Sequence, residues 1–310
     1  MRRSGADEHR PNDRAVRHTC TVWCIIAIVV TVSCDRKTLM LVTDTARYSS
    51  KIIKASALLG DTRMLLAHWD EQFGVAENLD RMRQDNILGK ASRSRVADIL
   101  AIFKQRYLRD DEVLRALTVL VKCGMPAESL NRILYFMAVQ SDALLHDAVV
   151  DVLAGVALRG QRDVSTQQVS AWVRQQVMEG HTERPWGPET TERVAQGVMA
   201  TLRDFGVLQG AVNKHLAPSY LPTSAFAFIA YLLHRRERSG DRLLHDPEWR
   251  VFFLSPQAVE RFFLEAHQDG LLSYHAAGQV IRITFPAATL DSYKGANIVR
   301  MSQVYAASLA

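Results

Sequence analysis

The chain has 310 residues, of which 48% are hydrophobic and 23% are charged. A chain of this size and composition can bury a sizeable core without disulfides or a structural metal. The formal net charge is +5, but residues 1–39 hold seven basic and four acidic residues, so most of the excess lies there. The bulk charge therefore does not indicate a polyanion-binding protein, and any such binding must come from local patches.

The four cysteines give no sign of a metal site or of a disulfide framework. Cys20, Cys24 and Cys34 lie near the N-terminus, and Cys123 stands alone. A zinc knuckle would need a pair of Cys-x-x-Cys units, which the sequence does not have. The spacing also differs from that of small secreted proteins held by disulfides. We therefore expect a cytoplasmic protein with no metal and no other cofactor.

Residues 19–33 form an almost unbroken apolar stretch after the basic residues Arg14 and Arg17. The stretch is shorter than the roughly 20 residues of a membrane-spanning helix. It has three interpretations: a membrane anchor, a cleaved signal peptide, or residues translated upstream of a true start at Met40. Contact with a membrane is expected only through residues 19–33, and the inner membrane is the alternative location.

Hydrophobic periodicity predicts a mainly α fold for the rest of the chain. Up to residue 160, apolar residues recur at spacings of three and four, as in amphipathic helices joined by short loops. We predict four segments. They are a disordered, mis-started or membrane-anchoring segment 1–42, a helical bundle 43–160, a winged-helix-like domain with small β-hairpins 161–290, and a C-terminal tail 291–310.

Capping residues divide the bundle into individual helices. The first predicted helix runs through Ile52 to Leu59, and the last runs to Leu158 and ends at Gly160. Predicted helix starts, from small polar residues and from proline, are Ser49 or Ser50, Asp61 or Thr62, Ser92 or Ser94, Asp110, Pro126 and Ser141.

After Gly160 short strands are predicted between the helices. Ser165 is expected to cap one helix, and a second carries Thr190 or Thr191 in its first turn. Residues 206–210 form a short strand bounded by glycines, and Pro222 precedes a strongly apolar helix.

The end of the chain has the clearest structural signal. Ser255 and Pro256 start a helix that Gly270 ends. Residues 271–274 are then a strand candidate, Ala276-Ala277-Gly278 can turn, and residues 279–285 alternate as a second strand. A helix followed by a β-hairpin is typical of a winged helix.

Sequence motifs of common enzyme classes are not present. The chain has no P-loop, no dinucleotide-binding glycine motif, no His-Glu-x-x-His and no Gly-x-Ser-x-Gly. Its ten histidines are scattered, and no two have ligand spacing on one predicted helix. We therefore expect a protein that is not an enzyme.

Two basic clusters are candidates for phosphate binding. The first lies where a loop enters a helix and continues along that helix through Arg109, and the second ends an apolar helix. Amides at a helix N-terminus bind phosphate, whereas cations at a helix C-terminus also stabilise the helix. For the second cluster, stabilisation of the helix C-terminus is the favoured interpretation. The candidate nucleic-acid-binding residues are Lys90, Arg93, Arg95, Lys104, Arg106, Arg235 and Arg236.

Several short motifs follow one another along the chain. They are Tyr48-Ser49-Ser50-Lys51, Ala55 to Leu59, Trp69, Glu77-Asn78, Lys90 to Arg95, Arg106-Tyr107, Tyr220-Leu221-Pro222, and the Ser255-Pro256 helix with its hairpin. In this order they resemble the BrxA family of bacteriophage-exclusion (BREX) defence systems. The resemblance covers about Tyr48 to Pro286, and residues 1–39 depart from it.

The resemblance implies a small helical protein encoded in a phage-defence operon. Its helical part would be similar to the RNA-binding antitermination factor NusB, with winged-helix-like elements beside it. It also implies that the protein binds double-stranded DNA and has no known catalytic activity. The protein would work beside a methyltransferase and other BREX components.

Three hypotheses about function remain open. The first is a DNA-binding accessory protein that contacts mainly phosphates. The second is an assembly subunit. Exposed side chains of Trp249, Phe252 or Phe253 would favour it, and so would internal ion pairs formed by the cations of the first basic cluster. The third is a membrane-tethered helical protein, which depends on residues 19–33.

Overall fold

Helices joined by short loops make up most of the described chain, which confirms the mainly α fold predicted from the sequence. The described residues belong to one compact unit, Arg47–Ala310. The predictions for residues 1–42, with the apolar stretch 19–33, and for 291–310 lie outside them. Among the described residues, no helix has both the length and the apolarity needed to cross a membrane. The computed structural model describes residues 48–218, 220–236, 239–278 and 280–286.

In the first part of the chain, short polar side chains cap three of the described helices. Ser92 Oγ accepts a hydrogen bond from the amide of Arg95 at 3.3 Å, and Asp110 Oδ1 accepts one from the amide of Val113 at 3.1 Å. A 3-10 helix, Ser50–Lys54, comes first, and a π-helical segment, Ala148–Leu153, separates the last two helices. The helices are α1 (Leu59–Ala67), α2 (Val75–Gln84), α3 (Arg93–Tyr107), α4 (Asp111–Lys122), α5 (Ala127–Ser141), α6 (Ala143–Asp147) and α7 (Ala154–Leu158).

In the second part of the chain, helices alternate with short strands. The helix capped by Ser165 has a complete capping box, in which Ser165 and Gln168 satisfy each other's backbone amides. The elements are β1 (Asp163–Val164), α8 (Thr166–Met178), α9 (Pro188–Asp204), β2 (Leu208–Gln209), β3 (Lys214–Leu216), α10 (Thr223–His234), α11 (Gly240–Leu244), a 3-10 helix (Pro247–Phe252), α12 (Pro256–Gln268), β4 (Ser273–Ala277) and β5 (Val280–Thr284).

The strands form two small antiparallel sheets. The first has the strand order β1-β3-β2, and the second is the β4-β5 hairpin after α12. In the hairpin Ala277 pairs with Val280, so the turn is shorter than the predicted Ala276–Gly278 turn. Gly278 has a φ of 60°, which only glycine adopts without strain, and this permits the tighter turn.

One hydrophobic core includes residues from both predicted domains, 43–160 and 161–290. Buried Tyr135 on α5, for example, donates its hydroxyl to the carbonyl of Val251 at 2.9 Å. Phe226 on α10 stacks on Trp249 with ring centroids 4.8 Å apart. The division of the chain at residue 160 stays a prediction.

The first predicted helix is wrong beyond Lys54. It was expected to continue through Leu59, but the 3-10 helix ends at Lys54, and Leu58 adopts a left-handed φ of 53° before α1. The carbonyls of the intervening segment bond to other elements, since Thr201 Oγ1 on α9 donates to the carbonyl of Ala55 at 2.7 Å. Tertiary hydrogen bonds therefore replace the helical ones there.

The helix start predicted at Ser141 is one residue early. Ser141 is the last residue of α5, and Asp142 caps α6 by accepting from the amide of Leu145 at 3.3 Å. The end predicted at Leu158, with Gly160 following, is confirmed, since α7 ends there and Gly160 has a φ of 67°.

Candidate nucleic-acid interface

Helix α3 has an exposed face that is basic near both ends. The side chains at this face recur at spacings of four, four and three, which places them on one side of the helix. Arg93 and Lys104 are exposed, and the two residues between them, Ala97 and Ala101, are exposed and small. This surface, the α3 face (Arg93, Ala97, Ala101 and Lys104), is a shallow helical surface with a cation near each end.

Two predicted cations at the start of α3 have partners within the chain. Lys90 Nζ lies 2.9 Å from Asp61 Oδ1, and Arg95 Nη1 donates to the carbonyl of Lys54 at 3.0 Å. A partly exposed ion pair such as Lys90–Asp61 contributes only about 0–1 kcal/mol to stability. It nevertheless reduces the positive potential that Lys90 would offer to a phosphate.

Arg106 is a buried structural side chain. It is 3% exposed, and its Nη1 donates to the carbonyls of Ser56 at 3.0 Å and Ala57 at 3.2 Å. These bonds hold the non-helical segment before α1 against α3. Arg106, a candidate nucleic-acid-binding residue, is therefore not on the exposed surface that carries Arg93.

Arginines from the two predicted clusters meet at one cleft, which has a volume of about 320 Å³. It lies where α3, α5 and α10 end, at Tyr107, Ser141 and His234. We call it the arginine cleft. Its polar lining includes Arg106, Arg109, Asp110, Gln140, Arg235 and Arg236.

Arg235 is fixed at the rim of the cleft by two carboxylates. Its Nη1 lies 2.9 Å from Asp110 Oδ2, and its Nη2 lies 2.8 Å from Glu112 Oε2. Partial burial alone would raise the pKa of the Asp110 carboxyl, but the hydrogen bonds from the Val113 amide and from Arg235 outweigh it and lower the pKa. Asp110 is thus an anion that holds the Arg235 guanidinium in place.

Gln140 connects Arg236 to a network of charged side chains. Arg236 Nη1 donates to Gln140 Oε1 at 2.9 Å, and Gln140 Nε2 donates to Glu248 Oε2. Glu248 Oε2 in turn lies 3.3 Å from His146 Nε2. The position of Arg236 therefore depends on residues of α5 and of the 3-10 helix Pro247–Phe252.

His146 lies between two carboxylates. Its Nδ1 is 2.7 Å from Asp147 Oδ1, and its Nε2 faces Glu248. Hydrogen bonds to Asp147 and then to Glu248 raise the pKa of His146 to about 9, against the opposing effect of burial. Tyr48 donates its hydroxyl to Asp147 Oδ2 at 2.5 Å. The scattered histidines of the sequence contain no signal for this arrangement.

Arg109 and Gln140 were not among the predicted site residues, although both line the arginine cleft. Arg109 follows Arg106 by three residues, and this spacing was the available signal. Gln140 has no sequence signal, because its role depends on Arg236, 96 residues later. Within the described ranges, no group of three or more His, Cys, Asp or Glu side chains is arranged to hold a metal ion.

Several motif residues that carry the family resemblance have structural roles. Asn78 is 2% exposed, and its Nδ2 donates to the carbonyls of Asp70, Phe73 and Gly74 at 2.8 to 3.2 Å. Trp69 is buried against Phe103, with ring centroids 6.0 Å apart. Asn78 and Trp69 therefore stabilise the fold.

The fold and the site define a mainly helical protein with a basic helix face and an arginine-lined cleft. The BrxA family model matches residues 46–232, which is more than half of the chain. The chain therefore belongs to the BrxA family, as the motif resemblance indicated, and is a protein associated with BREX defence. The match ends at residue 232, so the α12 helix and its hairpin lie outside it.

A solved structure has a similar fold. It is the crystal structure of an uncharacterized protein from Magnetospirillum magneticum, with a TM-score of 0.52 and 16% sequence identity over 66% of this chain and 98% of that one. At this identity the likeness concerns the fold alone. No curated protein matches the chain.

Proposed function

We propose that this BrxA-family protein is a non-enzymatic accessory protein of BREX defence that binds double-stranded DNA through phosphate contacts. The observation that carries the proposal is the α3 face. Its two cations, Arg93 and Lys104, are exposed and belong to the predicted set. Binding of this kind depends on the charge and shape of the duplex more than on its base sequence.

The geometry of the α3 face suits the backbone of a duplex. Arg93 and Lys104 are 11 residues apart in sequence, which corresponds to about 16 Å along a helix. Ala97 and Ala101 between them are short, so a sugar-phosphate backbone can approach the helix closely. Asp98, the acid nearest to this face, is half-buried and lies 3.2 Å from Lys54, which offsets its charge.

The described residues give mixed support to an assembly role. Such a role was expected to expose aromatic side chains near α12. Trp249 and Phe252 are instead 2% and 5% exposed, and Phe253 is half-buried. The internal ion pair of Lys90, by contrast, favours an assembly role. Together with the internal hydrogen bonds of Arg95 and Arg106, it also reduces the number of cations that can contact phosphate. We therefore assign the phosphate contacts first to Arg93 and Lys104.

The test is a titration of a labelled duplex with 5′-hydroxyl ends at several salt concentrations. We expect the logarithm of the association constant to fall linearly with the logarithm of salt concentration. In an Arg93→Glu, Lys104→Glu double variant the slope should become shallower by about 0.9 for each phosphate that the protein no longer neutralises. The loss of affinity should be similar for duplexes of different sequence.

The matched control is Arg261→Glu, because Arg261 is an exposed cation on α12, outside the α3 face. For each substituted residue, the double variant Arg93→Glu, Lys104→Glu should lose far more affinity for the duplex than the single variant Arg261→Glu. The proposal fails if the wild-type protein does not bind the duplex at low salt, or if the α3 variant keeps the full salt slope.

A further inference from the structure

The arginine cleft contains more hydrogen-bond donors than the acceptors that engage them. A guanidinium has five N–H donors. Arg109 Nη2 donates to the carbonyl of Ser141 at 3.2 Å, and Arg236 Nη1 donates to Gln140. Both side chains are exposed, so their remaining donors face the cleft opening or solvent. An incoming anion would find donors from more than one direction.

Two of the arginines are held rigidly before any ligand arrives. Arg106 is pinned at the base by two backbone carbonyls, and Arg235 is pinned at the rim by Asp110 and Glu112. Binding to such fixed groups costs little conformational entropy, because their rotamers are already selected. Arg109 and Arg236 are the more adaptable pair.

Cations at helix C-termini also stabilise the helices themselves, which is a second reason for arginines at this place. The cleft lies at three such ends, each with a partial charge of about −0.5. Together with the carboxylates of Asp110 and Glu112, these ends balance most of the charge of the four arginines. The net charge of the cleft is therefore small, and the convergence of guanidinium donors is the stronger argument for a ligand.

The shape of the ligand follows from the donors and the volume. Guanidinium groups from different directions suit the three oxygens of a terminal phosphate better than the two coplanar oxygens of a carboxylate. A cleft of about 320 Å³ is near the lower end of small-ligand sites and has no room for a duplex. Val113 and Leu232 also line it and offer apolar contact to an organic group.

We infer that the arginine cleft binds a phosphomonoester, the terminal phosphate of a nucleotide or of a DNA strand end. The site goes beyond the proposed function, because duplex binding through the α3 face does not use the cleft. It would add a contact that distinguishes a strand end, or a free nucleotide, from the interior of a DNA duplex.

The experiment is calorimetric titration of the full-length protein with dAMP, with deoxyadenosine, and with inorganic phosphate as competitor. We expect dAMP to bind, deoxyadenosine to bind at least about tenfold more weakly, and phosphate to compete, since removing each charged hydrogen bond costs roughly that factor or more. A second titration compares the same short duplex with 5′-phosphate and with 5′-hydroxyl ends. It separates the two sources of the phosphomonoester.

The variants are Arg109→Gln and Arg236→Gln, with Arg261→Gln as the matched control on α12. Both cleft variants should weaken dAMP binding by about tenfold or more, and the control should leave it unchanged. Thermal unfolding of each variant shows whether the fold is retained. If either variant does not fold, Arg236→Lys, which keeps the charge and removes the fork, takes its place with the same expectation.

Each outcome decides the inference. Binding of dAMP or a preference for 5′-phosphate ends, weakened by about tenfold or more in the cleft variants, supports it and identifies the source. Equal binding of dAMP and deoxyadenosine together with no preference for phosphorylated ends overturns it, as does phosphate-dependent binding that the cleft variants keep. The α3-face variant binds normally to dAMP if the two sites are separate, so failure of one proposal is distinguishable from failure of the other.

Discussion

The charge of His146 should make a measurable part of the stability of this protein depend on pH. His146 lies between Asp147 and Glu248, and its pKa is raised to about 9 from an unfolded value of about 6.5. The two carboxylates keep lowered pKa values, because their hydrogen bonds to His146 outweigh the effect of burial. Both acids are therefore ionised throughout the range in which His146 titrates.

The sign and size of the effect follow from linkage. A raised pKa in the folded state means that the contribution of His146 is complete below about pH 6.5 and is lost as the pH rises through about 9. At about 1.4 kcal/mol for each pH unit, the full contribution is about 3 kcal/mol. The His146 side chain is 29% exposed, so solvent screening makes this figure an upper value.

The measurement is urea unfolding of the wild-type protein and of His146→Gln at a series of pH values. The difference in the free energy of unfolding between the two proteins should be largest near pH 6 and should decrease steadily toward pH 10, by at most about 3 kcal/mol. His245→Gln, which removes a histidine with a 54% exposed side chain, is the matched control. A difference between wild type and His146→Gln that stays constant over this range would refute the reasoning.

Two substitutions test the structural assignments directly. Arg106→Ala should lower the free energy of unfolding by about 3 kcal/mol, because it leaves two backbone carbonyls without their charged donor. Lys104→Ala on the same helix should change the free energy of unfolding little. If thermal unfolding shows equal effects for the two variants, that result would contradict the burial of Arg106. Gly210→Ala should lower the free energy of unfolding severely, since the added Cβ would overlap the carbonyl oxygen of Asn213. Gly278→Ala, also at positive φ but with nothing within 4 Å, should lower it by only about 1–2 kcal/mol. Similar losses of stability in the two variants would count against the described β2-β3 turn.

The helix starts that the sequence predicted correctly depend on local chemistry. Ser92, Asp110, Ser165 and Ser255 each accept a hydrogen bond from an amide two or three residues later. Such a bond needs only the residue itself and the next turn of chain. A small polar residue before a periodic apolar stretch is therefore sufficient to predict it.

The elements that were missed depend on contacts distant in sequence. Strand β1 is two residues long and pairs with β3, about 50 residues later, so neither strand has a periodic signal of its own. Helix α2 has few buried residues, only Asn78 and Met82, and it begins after Gly74 without a side-chain cap, so the sequence has neither an apolar stretch nor a capping residue to predict it. These segments are held by tertiary pairing and not by local preference.

Contacts distant in sequence also limit what could be predicted about the candidate site. The sequence identifies every cation of the two clusters, but it does not reveal which of them have partners. Lys90 meets Asp61, 29 residues earlier, and Arg235 meets Asp110, 125 residues earlier. Acids so distant in sequence do not enter a local charge pattern, and the convergence of Arg109 with Arg236 at one cleft is equally invisible to it.

The α3 face and the cleft at the C-terminus of α3 are consequently suited to different anions. On the α3 face, Arg93, Lys104 and the alanines between them form an open surface, on which a long polyanion makes contacts that salt weakens strongly. Toward the C-terminus, the arginines surround a cleft whose acids fix Arg235 in place and offset its charge, so a single compact group must supply the acceptors. If both sites operate on one DNA molecule, raising the salt concentration should remove the affinity for the duplex interior first and leave the preference for a phosphorylated end, because several convergent hydrogen bonds in a partly enclosed cleft are screened less than exposed ion pairs.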